Sequence, residues 1–209
     1  MDEGGMHLFG PSSEREWKTA ITDILSALNN HIMLWTNRTT GLHVHVAPGI
    51  SQPWSPADLR KIALLFVLLE DQVDLYHAAH RWKPNPRNER FIASMRKSRF
   101  CAGMTKLQLG ESILQMRSWE ELAALVNPNP DGGTRTPYSR YYKVNFTAIG
   151  KHGTVEFRQH EGTLDLQQIF TWAETVLALV RLAMGTEERA LLQLCLSNVQ
   201  IFDVLAMAN

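Results

Sequence analysis

The chain lacks any excess of charge: Lys plus Arg number 21 and Asp plus Glu number 21, so the formal net charge at pH 7 is +0. With no global field to attract nucleic acid or an anionic membrane, any anion it binds must be held by a local arrangement of cations. It also lacks an apolar run of the roughly 18 to 20 residues that spanning a bilayer requires. No basic-then-apolar leader opens the sequence, which starts MDEGGMHLFGPSSERE and points to residence in the cytoplasm. Cysteine is scarce, with 2 in 209 residues. Cys101 and Cys195 in an unsignalled chain are expected as reduced thiols rather than a disulfide staple. Internal repeats and low-complexity tracts are absent, and the length suits one domain over residues 1–209, with a core at about 12–184 and a helical segment from 185 to the end.

Apolar residues, at 44% of the chain, are ordinary for a globular protein and their spacing marks the elements. Residues Met1 to Pro11 form a lead-in or short edge strand. Ser12 or Ser13 then opens a helix with Trp17, Ile21, Ile24, Leu25 and Leu28 at helical spacing, closing at Asn29-Asn30. A loop with three prolines, Pro48 to Pro56, leads to the most apolar helix, capped by Ser55 with Pro56 in its first turn and carrying Leu59, Ile62, Phe66, Val67, Val73 and Leu75. His77 and His80 follow one helical turn apart, either a metal pair or helix-end histidines beside the C-terminal dipole. The prolines of Lys83 to Arg90 forbid a regular helix there, and Arg87, Arg90, Arg96, Lys97 and Arg99 make a basic cluster that is either a solvated face or one wall of an anion pocket. Ser118-Trp119-Glu120-Glu121 is a capping box for a short helix, Asn127 to Pro137 is a loop that is either a connection or a lid, and Asp165 with Gln168 caps a long helix running to Met184. Thr186-Glu187-Glu188 starts another, interrupted at Asn198.

Two extended stretches carry the chemistry. Tyr141 to Thr163, YYKVNFTAIGKHGTVEFRQHEGT, reads as a β-hairpin turning at Gly150-Lys151-His152-Gly153. Alternation puts Lys143 and Asn145 on one face of its first strand, and Glu156, Arg158 and His160 on one face of its second. Upstream, Gly41 to Ala47, GLHVHVA, has Leu42, Val44 and Val46 on its apolar face and His43 and His45 opposite. Pooled on one surface, His43, His45, Lys143, Asn145, Glu156 and Arg158 combine metal-ligating imidazole and carboxylate with cations that bind phosphate or carboxylate oxygens. The expectation is an α+β fold: a small antiparallel sheet, its apolar face covered by helices and its polar, concave face forming the site.

Together, GLHVHV at Gly41–Val46, Pro86-Arg87-Asn88, Tyr142-Lys143-Val144-Asn145 and TVEFRQHEGT at Thr154–Thr163 resemble the amidoligases common in fungi, within the carboxylate–amine ligase superfamily. That resemblance implies a glutamine synthetase-like catalytic fold, ATP and Mg2+ as cofactors, and carboxylic acid and amine substrates joined through an acyl phosphate. It implies that His43 helps hold a nucleotide-bound magnesium, His45 contacts nucleotide phosphate, Glu156 ligates metal and Arg158 stabilises the phosphoryl group in transfer. Lys143 and Arg87 are candidates for holding a carboxylate or phosphate, and Asn145 for orienting the amine. Members of the superfamily usually begin with a strand bearing two alternating carboxylates, and where that Glu-x-Glu strand would lead into Ser-Pro this chain has MHLFGPSS, an abbreviated N-terminus. Two functions therefore stand side by side: an ATP-dependent ligase, and a non-catalytic binding protein that keeps the anion-binding surface.

Overall fold

The computed structural model describes residues 10–49, 52–132 and 137–207. The expected lead-in and edge strand before Gly10, and with it most of the stretch where a Glu-x-Glu strand would stand, lie outside these residues. In chain order the elements are α1 (Gly10–His31), β1 (Val44–Val46), α2 (Pro56–Leu68), α3 (Glu70–Asp74), α4 (Ala79–Trp82), α5 (Pro86–Phe91), α6 (Lys106–Leu114) and α7 (Trp119–Val126). They continue with β2 (Val144–Asn145), a 3-10 turn (Phe146–Ala148), α8 (Ile149–His152), β3 (Val155–Phe157), α9 (Leu166–Gly185), α10 (Glu188–Leu196) and α11 (Ile201–Met207). The fold is α+β, as the patterning predicts, and its three strands form an antiparallel sheet in the order β1-β3-β2.

Helix α2 is the centre of the core. Its residues Ile62 to Leu68 are all buried, because its apolar side chains face α6, α7, α9 and α10 as well as the back of the sheet. Phe66 meets Phe157 of β3 at 4.6 Å between ring centroids, which fixes helix to sheet through one aromatic pair. Ser55 caps α2 by accepting from the Asp58 N–H. The predicted single helix through Leu75 is instead two, α2 and α3, parting at Leu69. Asp165 accepts from the Gln167 and Gln168 N–H groups to cap α9 as expected, and α10 ends at Leu196, ahead of the predicted break at Asn198. Cys101 and Cys195 are buried and free, with no bridge between them.

Two further expectations are corrected, and one helix is new. The hairpin has no tight turn: Asn145 accepts from the Thr147 N–H, starting a 3-10 turn that runs into α8, and Gly153 closes it in the left-handed region at φ 68. Residues 83–90 are not wholly loop, since Asn85 caps α5 by accepting from the Asn88 N–H and Pro86 sits in the first turn, where its missing N–H is harmless. Helix α6, opened by a capping box between Thr105 and Gln108, escaped the sequence reading altogether.

Buried Asn127, at the end of α7, stitches the sheet to the helices. Its amide donates to the Val144 carbonyl at 2.9 Å and accepts from the Phe146 N–H at 2.8 Å. Each of these groups would otherwise be a buried polar atom without a partner.

Candidate functional site

The central strand β3 sets the site. Opposite Glu156 the register places His45 on one side and Asn145 on the other, while Val44, Phe157 and Val144 form the alternate row. Residues directly opposite share a face, so the Val44–Phe157–Val144 row turns toward α2 and the His45–Glu156–Asn145 row turns away. One position along, the Arg158 N–H donates to the Lys143 carbonyl and the Arg158 side chain returns to the same face as Glu156.

On that face Glu156 is the hub. Its Oε1 lies 2.6 Å from Arg158 Nη1, 2.9 Å from His43 Nδ1 and 3.7 Å from His45 Nε2. Its Oε2 accepts from Asn145 Nδ2 at 2.6 Å. Arg158 Nη1 also passes 3.4 Å from His43 Nδ1, but two donors aimed at one oxygen do not bond each other, so the carboxylate is what gathers them. Burial pushes the Glu156 carboxyl up, yet the His43 hydrogen bond, the Arg158 charge and the Asn145 amide outweigh it and hold the group down at about 2. His45 Nδ1 contacts Thr154 Oγ1 at 2.8 Å, and its ring stands edge-on to His152. The face is more enclosed than the alternation suggests: Glu156, Asn145 and Lys143 are buried and His45 is half-buried, while His43 is exposed at its edge.

The structure thus brings together five of the predicted residues, His43, His45, Asn145, Glu156 and Arg158. Lys143 is directed elsewhere: its ammonium is 2.6 Å from Asp74 Oδ2 and 3.2 Å from Glu70 Oε1 in a buried triad. Glu70 is held by the Met95 N–H at 2.8 Å and by the Ser94 hydroxyl. Asp74, taken out of water beside a second carboxylate, is raised to about 6 despite Lys143. Arg87 lies exposed on α5 with its guanidinium 5.9 Å from the Phe91 ring centroid, and among the described residues no hydrogen bond joins it to the Glu156 hub.

Sequence reasoning missed the Asp74 partner of Lys143 and the setting of His77. Rather than pairing with His80 along a helix, His77 packs at 5.2 Å from His160 and 4.5 Å from Trp172 between ring centroids. Only the Gln159-His160-Glu161 tail of the TVEFRQHEGT motif hinted at it. Burial, then the nearby His160, lower His77 to about 3, so it is a neutral imidazole.

Between helix α5 with the segment that follows it and the loop after α7 lies an open cleft of about 640 Å³. Arg90, Asn129, Asp131, Tyr138 and Tyr141 are among its walls. It adjoins the sheet through Ala93, whose N–H donates to the Tyr141 carbonyl at 2.8 Å and whose carbonyl accepts from the Lys143 N–H at 3.1 Å.

The magnesium that the resemblance implies does not fit the donors on this face. Magnesium takes hard oxygen ligands in octahedral geometry, whereas the one carboxylate that the described residues place on this face, Glu156, has both oxygens engaged, one of them by a guanidinium. What the hub does fit is an oxyanion, met by Arg158 and two imidazoles on a charge-anchored scaffold.

Fold and site together define an α+β protein that presents a polar sheet face suited to phosphate or carboxylate groups. The chain belongs to the family described as "putative amidoligase enzyme", which it matches over residues 12–180, from α1 nearly to the end of α9. No curated protein and no solved structure gives a significant match.

Proposed function

We propose that this protein is an ATP-dependent carboxylate–amine ligase that works through an acyl phosphate. A carboxylate oxygen of the acid attacks the γ-phosphorus of ATP and ADP leaves. The amine nitrogen then attacks the acyl carbon and phosphate departs, carrying one former carboxylate oxygen, while the amine gives up a proton. The observation that carries this reading is the convergence of Arg158, His43 and His45 on Glu156 Oε1 within 3.7 Å, in a chain of amidoligase descent. Phosphoryl transfer is accelerated chiefly by fixed charges and positioning, with little covalent chemistry from the protein. Arg158 supplies such a charge, oriented by Glu156. Exposed His43 and half-buried His45 are the ones a nucleotide phosphate would reach first. Asn145, whose Oδ1 accepts from Thr147 and whose Nδ2 donates to Glu156, acts as a positioning residue for the hub. Lys143, neutralised by Glu70 and Asp74, sets the position of α3 against the sheet. The cleft walled by Arg90 and Tyr141 is the place proposed for the acid or the amine.

Transfer of label tests the mechanism. With an ¹⁸O-carboxylate acid found by screening acids and amines for phosphate release, the released phosphate should carry one ¹⁸O, and Arg158→Ala should lower turnover by about 10²–10³-fold. Unlabelled phosphate would mean that water, not the acid, attacks ATP, and would refute the acyl phosphate. A second reading is favoured by one observation, the full engagement of Glu156 and Lys143 by protein groups: a binding protein that holds anions without joining them. It predicts nucleotide binding with no amide formed against any acid–amine pair.

A further inference from the structure

We propose that His77, His160 and Glu161 form a second site, distinct from the Glu156 hub, that binds one divalent ion of the zinc class. The three residues come from separate places, His77 from the turn after α3 and His160–Glu161 from just beyond β3, and one ligand atom of each lies within 4.8 Å of the other two. Two imidazoles and a carboxylate are the donors of a three-ligand zinc centre with a fourth position open to water. At metal–ligand distances near 2.0–2.1 Å the ligand atoms of a tetrahedral site stand about 3.4 Å apart, so closing the set takes side-chain adjustments of about an ångström.

The strongest sign that something is to be bound is His77 itself. It is 7% exposed, and both of its ring nitrogens are buried with no hydrogen-bond partner. A buried polar atom left unsatisfied is costly, and native structures rarely tolerate it without a reason. The edge-on Trp172 ring explains the burial, but an N–H directed at a π face satisfies one nitrogen at most. Backbone groups hold the other two side chains. His160 Nδ1 lies 2.7 Å from the Glu161 carbonyl oxygen; a carbonyl only accepts, so the proton sits on Nδ1 and the lone pair on Nε2, the arrangement that a carbonyl partner imposes on metal-bound histidines. Glu161 Oε2 accepts from the Ala78 N–H at 3.1 Å, leaving Oε1 for an ion. Nearby Arg81 does not compete for the carboxylate, because its Nε and Nη2 donate to the Gln159 and Arg158 carbonyls at 3.1 and 2.7 Å. An ion held here would pin the turn after α3 to the end of β3, next to the strand that carries Glu156 and Arg158.

The test uses the full chain after dialysis against a chelator. Zn²⁺ titrated in competition with a chromogenic chelator should bind at one equivalent and raise the thermal unfolding midpoint, and Co²⁺ should give the ligand-field bands of a four-coordinate site. Glu161→Gln and His160→Ala should each weaken binding by at least about tenfold and remove the thermal shift, while His43→Ala keeps both. Because the His77 side chain is buried, His77→Ala also removes core packing, so the half-buried Glu161→Gln, checked for native circular dichroism, carries the test alone where His77→Ala does not fold. Absence of stoichiometric Zn²⁺ binding by the folded wild type would overturn the proposal. So would binding that survives in Glu161→Gln and His160→Ala but is lost in His43→Ala.

Discussion

Removing the Glu156 carboxylate should be among the most destabilising single changes in this chain. Glu156 is 4% exposed and takes three donors, Arg158 at 2.6 Å, His43 at 2.9 Å and Asn145 at 2.6 Å. Glu156→Ala leaves the Arg158 guanidinium in a buried setting, with an Nε that already has no partner, and with the Arg81 guanidinium on its own carbonyl. Breaking a buried pair by deleting one partner costs about 3–5 kcal/mol, most of it the stranded charge rather than the lost attraction. Glu156→Gln keeps an acceptor and should cost about 1–3 kcal/mol. Because the stranded charge is the main term, deleting both partners should hurt less than the two single changes added together. The double variant Glu156→Ala/Arg158→Ala is expected to recover about 2 kcal/mol of coupling. Urea unfolding followed by tryptophan fluorescence measures the wild type, the three single variants and the double variant, provided that the denaturant slope is unchanged. A loss below about 1 kcal/mol for Glu156→Ala, or strict additivity in the double variant, would refute the buried hub.

Two further outcomes are expected. Asp74 in the folded chain holds its proton up to about 6, against 3.8 ordinarily, so between those values the folded state binds more protons than the unfolded one. Stability from this group is therefore full below pH 3.8 and lost as pH rises through about 6, by at most about 3 kcal/mol. Asp74→Asn should flatten that fall in pH-dependent urea titrations, and an unchanged slope would show that the Lys143 triad is not its source. A methyl group added at Gly162 would clash with Thr40 Oγ1 and stand 3.1 Å from the Thr40 backbone carbon, beside the Gly162 N–H bond to the Thr40 carbonyl. Gly162→Ala should lower stability by about 1–3 kcal/mol through overpacking, and a neutral effect in thermal unfolding would mean that the strand end is free to move.

What the sequence made legible were the features carried by local pattern. Alternation in GLHVHVA and TVEFRQ sorted His43, His45, Glu156 and Arg158 onto one face, and that survives because the β1–β3 register pairs His45 with Glu156. Caps at Ser55, Ser118 and Asp165 marked α2, α7 and α9. The failures arose where distant contacts decide. Lys143 alternates onto the polar face, yet it is claimed by Asp74, 69 positions away, and nothing near Lys143 in the chain announces that partner. Gly150-Lys151-His152-Gly153 has the glycines of a tight turn, but Asn145 caps the backbone into helical turns first. His77 and His80 have ligand spacing for a continuous helix, and the helix ends before His77.

Calorimetric titration of ATP, with and without magnesium in the buffer, tests the central claim that the Glu156 face is a nucleotide site. Binding at one equivalent that is lost in Arg158→Ala and in His43→Ala, both shown to be folded, is the predicted result. No heat at millimolar ATP, or binding that persists undiminished in both variants, would contradict it.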